Sequence, residues 1–166
     1  MKVLSEKEIK LLELFQEDGR MSDEKVALML GIPEKEAKDL REGLEEAGII
    51  LKYRAVINWE KIETTEVIAL IQVSVTPRKG LGYDEVAAKI SALPEVQSCL
   101  LVSGSFDLLV EVTGPSLKDV AFFVADKLAV IEGVEHTRTN FLLKRYKQSG
   151  DMFSVSRKTH RLPMVI

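Results

Sequence analysis

The sequence predicts an α+β chain in two parts, a bundle of three short helices followed by a mixed domain of strands and helices. Three observations predict it. Through the first 48 positions apolar residues recur at helical spacing, with capping residues and glycines between the runs. The texture then changes to β-branched and aromatic runs punctuated by Gly, Pro and Ser. The length, 166 residues with 46% hydrophobic, is enough for two small cores. Other classes are excluded on the same grounds. No apolar run approaches the ~18–20 residues that cross a bilayer, and the N-terminus turns charged at once, without an apolar signal core. A single cysteine, Cys99, excludes a disulfide framework and a multi-cysteine zinc site. The expectation is a cytoplasmic protein with no membrane partner, cofactor or metal.

The first helix runs from Ser5 to about Glu17, with Ser5 and Glu8 as a capping box and Ile9, Leu12 and Leu11 or Phe15 inward. Asp18-Gly19-Arg20 breaks it. Ser22 caps a second helix that buries Val26, Ala27, Met29 and Leu30 and ends at Gly31. Pro33 suits the first turn of a third helix, which buries Ala37, Leu40 and Leu44 and stops at Gly48. The short connection Gly31-Ile32-Pro33 forces the last two helices to cross steeply, as in a helix-turn-helix. Ile49 to Asn58 reads as a wing or linking strand.

In the second part, strands are expected over Val67–Val75, Val96–Val102, Leu108–Thr113 and Val134 to about Arg145. One helix, capped by Asp84, and a second, opened by Ser116 with Asp119, lie between them. The order strand, helix, strand, strand, helix, strand is the split βαβ pattern of ferredoxin-like domains. Right-handed crossovers put both helices on one sheet face. The other face, with Val67 or Ile68, Leu100 or Leu101, Leu109 or Val110 and Leu142 or Leu143, is left apolar and open, so a second copy of the chain is the expected cover. The tail from residue 149, basic at Arg157, Lys158 and Arg161, is read as an edge strand or a segment crossing to a partner.

Two sets of residues carry candidate chemistry. A recognition helix sets side chains against base edges while nearby cations neutralise phosphates. Lys35, Lys38 and Arg41 are the cations of the third helix, and Arg20, Lys25, Lys52 and Arg54 are further candidate phosphate contacts. Six acids share that helix, and residues 1–60 hold ten cations against fourteen acids, a net of -4; residues 61–166 hold thirteen against twelve, +1. A solvated face laced with helix-stabilising pairs is the competing reading of these lysines and Arg41. The second set is the turn Gly104-Ser105-Phe106-Asp107, where backbone N–H groups suit a carboxylate and Asp107 an ammonium. Its competing reading is an ordinary hairpin turn.

Three stretches carry a family resemblance: Leu44-Glu45-Glu46-Ala47-Gly48-Ile49-Ile50-Leu51-Lys52-Tyr53, Leu101-Val102-Ser103-Gly104-Ser105-Phe106-Asp107-Leu108-Leu109, and Thr137-Arg138-Thr139-Asn140-Phe141. In this order and separation the chain resembles the leucine-responsive and asparagine-regulator (Lrp/AsnC) transcription regulators over nearly its whole length. The resemblance implies a winged helix-turn-helix domain that binds double-stranded DNA (residues 1–50), a linking strand (51–64), and a ferredoxin-like domain (65–148) for dimerisation and effector binding. It further implies self-association into dimers or larger oligomers and an effector, typically an amino acid, at a subunit interface. Matched residue by residue, its effector positions fall on Leu100, Gly104, Asp107, Leu117, Asn140, Phe141 and Leu142.

An enzyme needs a positioned nucleophile, acid–base pair or metal, and the supply is thin. His136 and His160 are the only histidines, and Cys99 lies in an apolar run. Gly80-Leu81-Gly82 lacks the third glycine and the strand-to-helix context of a phosphate loop. A related group with the same layout, the siroheme decarboxylases, wants histidine and arginine clustered around a tetrapyrrole cavity. Two readings remain open: an effector-modulated DNA-binding regulator, and a sensing or assembly module whose helix-turn-helix contacts protein.

Overall fold

The structure, a computed structural model, describes residues 3–63, 66–76 and 82–153. It divides into two compact units, Met1–Ile57 and Asn58–Ile166.

The first unit contains α1 (Glu6–Glu17), α2 (Asp23–Leu30) and α3 (Glu34–Glu46). Local sequence sets each boundary. The Ser5 hydroxyl accepts from the Glu8 N–H while the Glu8 carboxylate accepts from the Ser5 N–H at 2.7 Å, closing the expected capping box. Ser22 caps α2, and Gly31 ends it in the left-handed region at φ 66°, where an L side chain is strained. Pro33 sits one place earlier than expected, at the N-cap of α3. Leu11, Phe15, Val26, Ala27, Ala37 and Leu44 form the core, with Leu30 and Leu40 partly buried around it. Met29 does not join them. It is 56% exposed, because the short α2 turns only its Val26–Ala27 stripe inward.

The wing or linking strand expected over Ile49–Asn58 is not formed among the described residues, and Trp59–Lys61 is a single 3₁₀ turn. An extended segment becomes a strand only when a neighbouring ladder takes its N–H and C=O groups, and this one has no such neighbour. Its apolar side chains Leu51 and Val56 stay exposed.

The second unit holds β1 (Val67–Val75), α4 (Tyr83–Ser91), β2 (Val96–Leu101), β3 (Leu108–Gly114), α5 (Leu117–Phe123) continued by one π turn (Val124–Leu128), and β4 (Val134–Phe141). The sheet order is β2-β3-β1-β4 with every pair antiparallel, which is the ferredoxin-like arrangement. Asp84 lies in the first turn of α4 rather than at its cap, a place held by Gly82; a carboxylate there still favours the helix dipole. β4 ends at Phe141, short of the expected Arg145, because its partner β1 begins at Val67 and only Leu142 N–H reaches one further carbonyl, that of Ile68. Lys147–Gln148 (β5) and Asp151–Met152 (β6) then make a small separate hairpin, so this part of the tail is no edge strand of the main sheet. The remainder of the tail (154–166), Gly80, Leu81 and residues 64–65 of the expected link lie outside the described residues.

Both helices cover one face of the sheet, where Ala69, Ile71, Val73, Leu108, Val110 and Val112 are buried against Val86, Ile90, Val120, Phe123 and Leu128. On the opposite face register places Leu100 beside Leu109, Leu109 beside Gln72, and Glu111 beside Leu70, with Ile68 beyond. The described residues cover that face only at one end, where Arg145 approaches Glu111. With two cores, Leu44→Ala and Ile71→Ala are each expected to cost about 2–5 kcal/mol. Calorimetry should show each substitution lowering a different unfolding transition.

Candidate nucleic-acid interface and effector site

α2 and α3 are joined by three residues, and the Ile32 N–H closes on the Ala27 carbonyl at 3.0 Å. At 100° per residue, the side of α3 opposite buried Ala37 carries Lys35, Asp39, Glu42 and Glu46, with Lys38 at its margin. Lys35 is exposed and forms no ion pair among the described residues, whereas Lys38 lies 3.8 Å from Glu42. Arg20, Lys25, Lys52 and Arg54 are also exposed, without ion pairs among the described residues.

Arg41 behaves differently from the expected phosphate contact. Its side chain is 20% exposed; Nε and Nη2 donate to the two Asp23 oxygens at 2.7 and 3.0 Å, and Nη1 donates to Glu45 at 3.0 Å. A guanidinium gripping carboxylates on two helices is a strut between α2 and α3, and its donors are already engaged. The Arg41 hydrogen bonds hold the Asp23 carboxyl below its ordinary range. Glu45 is lowered first by the Tyr53 hydroxyl, which donates to it at 2.8 Å, then by Arg41. Tyr53 also packs edge-on against Phe15, and burial first, then Glu45, pushes its phenol up to about 12.

In the second unit Asp107 is likewise engaged. Its Oδ2 accepts from the Val75 N–H at 2.8 Å, its own N–H donates to the Val73 carbonyl at 3.0 Å, and its carbonyl accepts from the Val102 N–H at 2.8 Å. The turn is thereby bolted onto the end of β1, where the β1–β4 register slips. Its charge also raises the Tyr83 phenol, at the start of α4. No pattern in the sequence marked Tyr83. Gly104, at φ 153°, has open space where a Cβ would stand, and Ser105 beside it is exposed. Asn140 is exposed and donates to the Leu70 carbonyl at 3.2 Å. Leu117 is 56% exposed at the start of α5.

These effector candidates do not converge within one chain. Leu100, Gly104, Ser105 and Asp107 lie toward the end of the sheet where β1 finishes. Leu117, Phe141 and Leu142 lie where it starts, and Asn140 stands next to them in β4. Gly104 and Leu117 flank the seven residues of β3, about 23 Å at strand rise, and Leu100 and Asn140 sit on opposite edge strands, about 14 Å apart. Leu142 alone lines an open cleft of about 480 Å³ on the uncovered face, with Leu70, Glu111 and Tyr146. A second cleft of about 280 Å³, beside α5 and the Lys127–Glu95 ion pair, contains none of the candidates. Among the described residues no group of three or more His, Cys, Asp or Glu is placed to hold a metal ion. His136 is exposed beside Glu135, and partial burial pushes the Cys99 thiol up, so it stays protonated at neutral pH. No helix among the described residues is long and apolar enough to cross a membrane.

The model of the Lrp/AsnC ligand binding domain matches residues 68–152. The chain is 43% identical over 160 residues, 96% of each chain, to the uncharacterized HTH-type transcriptional regulator YugG of Bacillus subtilis. It is 28% identical to the leucine-responsive regulatory protein of Haemophilus influenzae, over 90% of this chain and 89% of that one. Among solved structures it matches the transcriptional regulator NMB0573/L-Met complex from Neisseria meningitidis, with TM-score 0.69 and 28% identity, over 88% of this chain and 94% of that one.

Two variants separate framework from contact. Arg41→Met should destabilise the first unit by about 1.5–3 kcal/mol at pH 7, the usual range for hydrogen bonds to charged groups. Because the folded-state pKa of Asp23 is depressed, the stability it supplies is present above the ordinary carboxylate range, about 4, and is lost as pH falls below it. Thermal melts of wild type and Arg41→Met should therefore converge in that acid window. In the second unit, Asp107→Ala should cost about 1–3 kcal/mol by leaving the Val75 N–H without its acceptor. Asp107→Asn, which keeps an acceptor oxygen, should cost less when both variants are unfolded in urea.

Proposed function

The chain belongs to the Lrp/AsnC family, and from that premise we propose that it is a transcriptional regulator that binds double-stranded DNA and responds to a small effector, an amino acid. The observation that carries the reading is the α2–α3 pair on its three-residue turn, with Lys35, exposed and without an ion pair among the described residues, at the start of α3. In this reading residues 1–50 bind DNA, 51–64 connect, and 65–148 associate with a second copy and hold the effector. Lys35 and Lys38 approach the groove, Arg20, Lys25, Lys52 and Arg54 neutralise phosphates, and Arg41 holds α3 at its angle to α2. The protein acts by binding rather than catalysis, in the cytoplasm.

The effector lies between copies of the chain. Backbone N–H groups at Gly104 and Ser105 suit a carboxylate, while Leu100, Leu117, Phe141 and Leu142 offer apolar walls and Asn140 an amide. One chain holds these groups about 14–23 Å apart by strand geometry, and a two-fold pairing brings one end of a chain to a different part of its partner. The L-Met complex of the Neisseria meningitidis relative supports the amino-acid class. The solvent side of α3, with Asp39, Glu42 and Glu46 around Lys35, favours the second reading, in which the helix-turn-helix contacts a protein.

Fluorescence polarisation with a duplex from the region upstream of the protein's own gene separates the two. The proposal expects binding that weakens with salt and weakens further, by about tenfold or more, in Lys35→Gln. An intact protein that ignores this duplex at low salt would overturn it. Calorimetric titration of the twenty amino acids should find at least one that binds; if none does, the effector part fails.

A further inference from the structure

The hairpin of β5 and β6 stands against the uncovered face of the sheet and is fixed there. Its chain turns through Ser149 and Gly150, at φ 49° and 96°. Phe153, just past β6 and 7% exposed, donates its N–H to the Tyr146 carbonyl at 3.0 Å, and its carbonyl accepts from Asn58 Nδ2 at 3.0 Å. The Arg145 guanidinium lies 5.6 Å over the Phe153 ring and 4.0 Å from Glu111 of β3. Between hairpin and sheet lies the cleft of about 480 Å³, within the size range of small-molecule sites.

Three kinds of chemistry meet in this cleft. Register sets Glu111 beside Leu70 on the sheet, and Leu142 follows the end of β4, so a carboxylate stands next to two half-buried apolar side chains. The Glu111 side chain is 25% exposed, and its ion pair with Arg145, at 4.0 Å, is too long for a hydrogen bond. Its carboxylate accepts no hydrogen bond among the described residues. A carboxylate drawn this far out of water is stabilised by a charged donor. The hairpin side of the cleft supplies the opposite sign. Lys144 and Lys147 are exposed and form no ion pair among the described residues, with the Lys144 ammonium 5.1 Å over the Tyr146 ring.

We infer that this cleft binds an α-amino acid with an aliphatic side chain, its ammonium donating to Glu111, its carboxylate received by Lys144 and Lys147, and its side chain resting on Leu70 and Leu142. Glu111 repels a simple anion, and Lys144, Arg145 and Lys147 repel a simple cation. A zwitterion with an apolar body meets every wall with the matching group. This site is separate from the one proposed between copies of the chain. It takes only Leu142 from the residues assigned there, and all of its own groups come from one chain.

The test is calorimetric titration of the full-length chain with L-valine, L-leucine, L-isoleucine and L-methionine. The amino acid that binds most tightly is then compared with its amide and with its deaminated acid. Each analogue should bind at least tenfold more weakly than the parent. Glu111→Gln and Lys144→Gln/Lys147→Gln should each weaken the parent tenfold or more. In Glu111→Gln the parent should lose its advantage over the deaminated acid, and in the lysine variant its advantage over the amide; a merely structural loss would not sort the analogues in this way. Sedimentation and circular dichroism of both variants should match wild type. If both variants bind the amino acid with wild-type affinity and stoichiometry, this inference fails and the site between copies stands. If wild type binds none of the four, the inference fails, and the other sixteen amino acids decide the reading above. If the variants lose oligomeric mass, the cleft is a junction between copies and the inference is overturned.

Discussion

Placing both helices of the second unit on the same side of a four-stranded antiparallel sheet commits the rest of the molecule. Right-handed crossovers leave no alternative for this element order. One face is then closed by Val86, Ile90, Val120, Phe123 and Leu128, and the other presents Ile68, Leu70, Leu100 and Leu109 with no helix to cover them. An apolar sheet face of this kind is stable in water only when something else removes it from solvent. The C-terminal hairpin takes one end through Arg145 and Glu111; the span from Leu109 to Leu100 has no cover among the described residues.

The same constraint spreads the candidate effector residues over both ends and both edge strands of one sheet, so they do not converge within one chain. Asp107 is itself part of the framework. Its Oδ2 is already committed to the Val75 N–H, and what the turn still offers a ligand is chiefly backbone at Gly104 and Ser105. In the first unit Arg41 follows the same logic. Its donors are consumed by Asp23 and Glu45, so the residue sets the geometry of α3 while Lys35 is left to face outward.

Local signals made most of the fold legible in the sequence. The Ser5–Glu8 box, the Ser22 and Ser116 caps, Gly31 and the extent of β1 are short-range chemistry, read within four to nine residues, and the structure has them where expected. What was not legible depends on partners distant in the chain. Asp23 and Arg41 are 18 residues apart, so the strut resembles a free cation in one dimension. Asn58 and Phe153 are 95 apart, and nothing local marks their bond. Ile49–Asn58 has strand composition but no ladder, since composition describes a preference and pairing needs a neighbour. The end of β4 at Phe141 was set by where β1 begins, and Tyr83 drew no notice until the Asp107 turn folded next to it.

Sedimentation equilibrium at micromolar concentration, on wild type and Leu109→Lys, reads whether a second copy of the chain completes the uncovered sheet face. The wild-type mass should be a multiple of 18.6 kDa and should shift toward 18.6 kDa in Leu109→Lys, with the helical signal retained. A wild-type chain that sediments as an 18.6 kDa monomer at that concentration would leave the face without its expected cover.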